Sequence, residues 1–287
     1  MKKILTITIL IITIMVTSGC NLIKNNLNTS KICTTIYPIQ FLVEKLYGSH
    51  SKIESIYPTG ADLNTYKLTS KQIKEYSKND LFIYNGLTNE KNIAKNLRNE
   101  NKNLFIIDIA EGFNYKYDIK ELWMSPINYL MLAKNIKQGL NDYLKSSILK
   151  EEINENYNEL DEKLSLMDAD LRSIAAQAKK KNTETLIVTD DLFTYLQNYG
   201  FKIISLDPDT RTKTTISYAK ESIKDIDHIC IIVLDNKADQ EISEFITNNG
   251  LKQININSMM DKPSHNENYL TQMQTFIDQI KNNCLKD

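Results

Sequence analysis

The stretch 151–181, EEINENYNELDEKLSLMDADLRSIAAQAKKK, constrains the chain more than any other. Its larger side chains fall at Ile153, Tyr157, Leu160, Leu164, Met167, Leu171 and Ile174, spaced 4, 3, 4, 3, 4, 3. That spacing lines one stripe of an α-helix, while Glu, Asn, Asp and Lys fill the other faces. Neither Gly nor Pro interrupts the run, and acidic residues lead while Lys179, Lys180 and Lys181 trail, the order favoured by the helix dipole. At about 1.5 Å per residue the helix spans roughly 45 Å, enough to cross a small domain. A coiled-coil dimer seam uses the same spacing. Strand-rich segments flank the stretch on both sides, which favours a rigid strut joining two lobes.

Residues 1–20, MKKILTITILIITIMVTSGC, carry the marks of export. Lys2 and Lys3 form a charged end, 4–16 is an apolar or hydroxyl-bearing core, and small residues precede Cys20. The core is too short for a transmembrane span and runs straight into small residues, so a signal peptide is expected. Ser18-Gly19-Cys20 resembles a bacterial lipoprotein processing site, with Thr17 where Leu is usual. On that reading Cys20 is lipidated and becomes the mature N-terminus. An ordinary signal peptide with an incidental cysteine is the plainer alternative. The Asn-rich segment 21–30 then suits a flexible tether. The body is expected outside the cytoplasm, anchored to the bacterial membrane by the lipid on Cys20.

Downstream of 20, strand-like and helix-like segments alternate. Strands are expected at 31–37, 52–57, 80–84 and 103–109, and again at 185–189, 202–206, 228–234 and 253–257. Helices are expected at 39–47, 70–77 (opened by a Ser cap), 90–98 and 125–144, then at 191–199, 215–224, 239–248 and 268–282. This alternation predicts an α/β fold with mainly parallel sheets and helices on their faces. The domain reading is a lobe at 31–144, a linking helix at 145–182 and a second lobe at 183–287. The ligand cleft is expected between the lobes, at the carboxyl ends of the strands. A strut with no Gly or Pro hinge predicts small lobe motion.

With a net charge of −1, nothing points to nucleic acid as a partner, and the chain is expected to be monomeric. After Cys20 three cysteines remain, Cys33, Cys230 and Cys284, an odd and sparse set that does not read as a disulfide framework. Cys33 and Cys230 lie in apolar runs and are expected to be buried. Asp190-Asp191 and Asp207-Pro208-Asp209 offer paired carboxylates, but Asp-Pro is commonly a turn after a strand. His228 opens an apolar strand, and Trp123 reads as a core or lobe-boundary anchor. Phosphate loops, nucleophile elbows and HExxH helices are absent from the sequence, so no enzyme is expected.

Four further stretches occur in order: 34–38 (TTIYP), 79–87 (NDLFIYNGL), 122–126 (LWMSP) and 193–201 (FTYLQNYGF). Together they resemble the zinc- and manganese-binding lipoproteins of bacterial ABC importers, the adhesin-like metal-binding family. The resemblance covers nearly the whole chain after the tether. It implies two (β/α) lobes joined by a rigid helix, metal captured between them, and delivery to an ABC permease in the membrane. Four ligand positions carry over. Asn64 stands where a His-x-Tyr-Glu-Pro stretch begins, and Glu121 stands where a His precedes the Trp by two. Asp190 replaces a His or Glu three places before Phe193, and Asn257 matches an acidic residue near the end of the last strand. His50, His228 and His265 miss these positions, and 113–120 lacks a His-rich loop.

Two carboxylates and two amides make a hard-oxygen set, matched to Mn²⁺, Ca²⁺ or Mg²⁺ more than to Zn²⁺. A divalent metal as transported ligand, Mn²⁺ ahead of Zn²⁺, is one reading. Facing carboxylates without a cation repel, so a neutralising Lys such as Lys67 or Lys120, a changed ligand or a lost site are the others. Two functional readings follow: a substrate-binding protein of a metal importer with oxygen ligands, or a surface adhesion lipoprotein that keeps the fold without metal. A cleft adapted to a small organic ligand is a third.

Overall fold

The computed structural model describes residues 30–63, 65–113, 121–224, 229–264 and 267–285, and of Glu121 only the backbone. The leader 1–20 with Cys20, nearly all of the tether, Asn64, Lys120, His228 and His265 lie outside the described residues.

Two four-stranded sheets are built from short apolar runs. The first contains β1 (Ile32–Thr34), β2 (Ile53–Ser55), β3 (Leu81–Tyr84) and β4 (Phe105–Asp108) in the order β2-β1-β3-β4. The second contains β5 (Thr185–Val188), β6 (Lys202–Ser205), β7 (Cys230–Leu234) and β8 (Lys252–Ile256) in the order β6-β5-β7-β8. Every pairing is parallel: Ile32 lies between Ile53 and Leu81, and Ile187 between Ile204 and Ile231. Inner strands β3 and β7 are buried throughout, which is why they read as unbroken apolar runs and not as alternating ones. Strand order reverses between β1 and β3 and between β5 and β7, so each sheet has a crevice at the carboxyl ends of those strands.

The first lobe carries α1 (Tyr37–Tyr47), α2 (Ser70–Tyr76), α3 (Glu90–Glu100), α4 (Glu121–Met124) and α5 (Pro126–Tyr143). The strut is α6 (Ser147–Lys181), and the second lobe adds α7 (Lys213–Ser222), α8 (Gln240–Asn248) and α9 (Tyr269–Cys284). Three local expectations are corrected. The cap of α2 is Thr69, not Ser70: its hydroxyl accepts from Gln72 N while Gln72 Oε1 accepts from Thr69 N, a reciprocal box. Helix α1 begins at Tyr37, because Pro38 fits the first turn, where its missing N–H costs nothing. Residues Asp191–Tyr199 form a 3₁₀ helix and not an α-helix. Leu192, Phe193, Tyr195, Leu196 and Tyr199 are buried, and recurrence at 192/195 and 193/196/199 suits three residues per turn.

Helix α6 has 35 residues, about 52 Å at 1.5 Å each. It starts ahead of the acidic run because Ser146 accepts from Leu149 N, and it stops where Asn182 turns left-handed at φ 58°. Ile153, Leu160, Leu164, Met167, Leu171 and Ile174 are buried, joined by Leu149, Ala175 and Ala178. Tyr157 is half-buried, with Lys137 Nζ 4.0 Å from its ring centroid. The stripe packs on α1 and α5 in one lobe and on α9 and the 3₁₀ helix in the other, so it is spent within the chain and not on a coiled-coil partner. Polar ties lie alongside: His50 Nε2 meets Glu152 at 2.7 Å, and Asn156 Nδ2 donates to Leu46 O at 3.0 Å. At the other end Tyr199 OH donates to Asp168 at 2.7 Å, whose second oxygen takes Arg172 Nε at 2.9 Å.

The stripe predicts a contrast on one helix. Leu171→Ala, at a fully buried position, should cost about 2–5 kcal/mol in urea unfolding. Leu166→Ala, at a position 60% exposed, should stay within about 0.5 kcal/mol.

Candidate functional site

The carboxyl ends of the two sheets meet through α4. This one-turn helix opens with Glu121 and lies against the 3₁₀ helix that follows Asp190. Trp123 is buried, and its indole N–H donates to Ser258 O at 2.8 Å, next to Asn257. Tyr195 OH donates to Met124 O at 2.9 Å, and Tyr269 OH to Trp123 O. From the first lobe, Gly60 N donates to both oxygens of Asp261 at 3.1 and 3.2 Å, and Tyr37 N to Met260 O at 3.3 Å. The 57–63 loop, α4, the start of the 3₁₀ helix and the loop after β8 are thereby drawn to one boundary between the lobes.

Asp190 follows β5 in extended conformation and caps the 3₁₀ helix, its Oδ1 accepting from Leu192 N at 2.9 Å. It is half-buried. Asp191 and Asp207 are turn residues: Asp207 accepts from Asp191 N at 3.0 Å and from Asp209 N at 2.8 Å, so the paired acids build a loop. Asn257 is exposed, and its Oδ1 accepts from Met259 N at 2.9 Å. It lines a groove of about 150 Å³ between β8 and α9, with Glu267, Gln272 and Phe276. Beside the Asn64 position, Asp62 accepts from Thr65 N at 3.1 Å, and Tyr66 packs on Tyr57 with ring centroids 4.7 Å apart. Among the described residues no group of three or more His, Cys, Asp or Glu side chains could hold a metal ion.

Four acids that the sequence reading did not single out stand near these loops. Asp235 accepts from Ser258 N at 2.7 Å, bracing the segment after Asn257. It adopts φ 52°, with Asn236 at 54° and Met259 at 55°, a concentration of left-handed backbone at the end of the second sheet. Asp261 is the acid that reaches Gly60 across the lobes. Glu90, the first residue of α3, is 1% exposed and accepts from Asn85 N at 2.8 Å, holding the Asn85-Gly86 turn at the first crevice. Asp108 secures the same turn by accepting from Gly86 N at 2.8 Å; a Cβ on Gly86 would lie 1.8 Å from its Oδ2. The only available signal for Glu90 was an acid at a helix start directly after an Asn-Gly turn.

Burial pushes the Glu90 carboxyl up to about 7, against the opposing pull of Asn85 N–H and of the Thr35 and Thr88 hydroxyls; Asp108 adds repulsion. The folded chain therefore keeps this proton between pH 4.5 and 7, where the unfolded chain loses it. The contribution is whole below about 4.5 and is lost as pH rises through about 7. Glu90→Gln removes this dependence. Its stability minus that of the unsubstituted protein should climb by up to about 3 kcal/mol between pH 4.5 and 8 in urea titrations. A flat difference would contradict a buried, proton-retaining Glu90.

The chain is matched over residues 32–283 by the family model described as zinc-uptake complex component A, periplasmic. It is 26% identical over 224 residues to the iron-binding protein YfeA of Yersinia pestis, covering 75% of this chain and 69% of that one. It is 27% identical over 213 residues to the manganese ABC transporter substrate-binding lipoprotein PsaA of Streptococcus mitis, covering 67% and 66%. The metal-dependent lipoprotein YcdH of Bacillus subtilis superposes with a TM-score of 0.74 at 18% identity, over 90% of this chain and all of that one. The family match spans both sheets, the strut and the segments that meet at α4, and the chain belongs to the zinc-uptake complex component A family.

Proposed function

We propose that this protein is the lipid-anchored, extracytoplasmic substrate-binding component of a metal-ion ABC importer. It would capture a divalent cation between its lobes, 31–144 and 183–287, and hand it to a membrane permease. The observation that carries the proposal is the family match over 32–283, which includes every segment bearing a ligand position. The relatives' names support this reading: a manganese ABC transporter substrate-binding lipoprotein, an iron-binding protein and a metal-dependent lipoprotein. Such proteins bind and deliver; no reaction is required of the site.

Asn64, Glu121, Asp190 and Asn257 are the proposed donors. Anionic and amide oxygens favour Mn²⁺ over Zn²⁺, which draws its affinity from imidazole and thiolate. Asp190 suits the role, because the backbone N–H on Oδ1 fixes the direction of its carboxylate. Asn257 is the weakest of the four, since its amide oxygen already closes a turn. That observation, with the loss of every imidazole, favours the second reading: an adhesion or interaction lipoprotein that keeps the fold and has given up metal.

The two readings separate in thermal unfolding of metal-stripped protein titrated with Mn²⁺, Ca²⁺ and Zn²⁺. A cation at about 100 times its Kd adds about 2.7 kcal/mol, raising the midpoint by roughly 5–10 °C. The expected order is Mn²⁺ above Zn²⁺. Asp190→Asn combined with Glu121→Gln should abolish the rise; Asn caps as well as Asp, so the 3₁₀ helix is kept while two charges are removed. A midpoint unmoved by every cation would leave the adhesion reading standing.

A further inference from the structure

Three buried oxygens at the carboxyl end of the first sheet have no direct hydrogen-bond partner: Thr35 Oγ1, Tyr57 OH and Glu90 Oε1. Their residues are 0%, 8% and 1% exposed. The backbone brings them together. β1 and β2 stay paired beyond their ends, Ile56 N donating to Thr34 O at 2.8 Å and Tyr57 N to Thr35 O at 3.0 Å. On the other side of β1, Thr34 is in register with Ile83, so Thr35 stands beside Tyr84 and next to the Asn85 turn. Glu90 is tied to that turn, its Oε2 accepting from Asn85 N at 2.8 Å. Neighbouring strands lie about 4.8 Å apart, so Thr35 is flanked at that spacing by the strand that ends in Tyr57 and the strand that ends in Asn85. Burial, and then the Glu90 carboxyl beside it, push the Tyr57 phenol above its ordinary range, and the Thr35 hydroxyl faces the same carboxyl. Other polar groups of the turn are committed elsewhere. Asn85 Oδ1 accepts from Leu87 N at 3.0 Å, and Thr88 Oγ1 donates to Asn85 O at 3.1 Å and accepts from Glu90 N at 3.2 Å.

We propose that one ordered water is bound here as an integral part of the first lobe, hydrogen-bonded to Thr35 Oγ1, Tyr57 OH and Glu90 Oε1. A buried water makes about three hydrogen bonds, the number of oxygens on offer. A hard cation such as Ca²⁺ asks for about six to eight, so three side-chain oxygens fall well short of a metal site. Left bare, each of the three groups would carry its full desolvation penalty. Because Asn85 N–H occupies Oε2, the proton that burial retains on Glu90 belongs on Oε1. The acid then donates to the water, which keeps two hydrogens and a lone pair for the two hydroxyls. Strand order reverses at this point of the sheet, where open α/β sheets commonly take ligands. The water and the buried acid close that crevice in the first lobe, whatever the cleft between the lobes binds.

The test is a high-resolution crystal structure of the protein at about pH 6, where Glu90 keeps its proton, with a second crystal soaked in rubidium chloride. The expected result is a density peak about 2.6–3.2 Å from all three oxygens, without a rubidium signal. A rubidium signal at that point, or Thr35 and Tyr57 bonded directly to Glu90 with no peak between them, overturns the proposal. In solution, Thr35→Val and Tyr57→Phe should each raise the unfolding constant in urea about tenfold. Together they should fall well short of the roughly hundredfold product, because loss of either hydroxyl already undoes the shared bonds. Effects that multiply in full overturn a shared water. Glu90→Gln, whose amide donates where the acid did, should keep the peak, and its disappearance in that variant would count against the assignment as well.

Discussion

One turn of helix holds the two halves of this molecule to one another. Helix α4 is too short to satisfy its own terminal carbonyls, and two of them receive phenol hydroxyls from the second lobe, Trp123 O from Tyr269 and Met124 O from Tyr195. Its indole N–H goes the same way, to Ser258 O. A buried carbonyl without a partner costs a few kcal/mol, so this segment keeps its shape only while both lobes are in contact. Three of the four proposed donors depend on it. Glu121 begins α4, Asp190 begins the 3₁₀ helix that carries Tyr195, and Asn257 precedes the Ser258 carbonyl.

The strut alone would not make the body rigid. Hydrophobic residues of both sheets, of α6 and of α9 belong to a single core cluster that runs from Ile32 to Cys284. Tyr129 of α5 stacks on Tyr269 of α9 with ring centroids 4.0 Å apart, and Phe41 of α1 lies 5.7 Å from the same ring. Opening the lobes like a hinge would break these ring contacts and expose the indole and phenol bonds together. On the proposed metal-binding reading, selectivity would rest with loop residues such as Asp190 and not with wholesale closure.

Much of the architecture was legible because its signals are local and repeated. Seven apolar residues at 4-3 spacing can hardly be anything but a buried helix face, and runs such as 81–84 or 230–234 suit only strands covered on both sides. Finer choices failed where two answers satisfy the same residues. Thr69 and Ser70 are equally good caps, and Leu192, Phe193, Leu196 and Tyr199 fit a period of 3.0 as well as 3.6. The family's motifs supplied the positions of Asn64, Glu121, Asp190 and Asn257, but the backbone N–H groups taken by Asp190 and Asn257 belong to turn geometry that motifs do not carry. Contacts made only by tertiary packing, such as Asp261 with Gly60, leave no trace in spacing.

The Tyr129–Tyr269 stack also sets an order of events. A polypeptide emerges amino end first, and the first lobe could form its sheet and dock α1 and α5 long before the last helix exists. Its inner aromatic face, Phe41 and Tyr129 above all, would then stand uncovered until Tyr269 is made. A chain that stalls short of α9 would offer that face to proteases and to other chains. Docking of α9 therefore doubles as a check that synthesis has passed Tyr269.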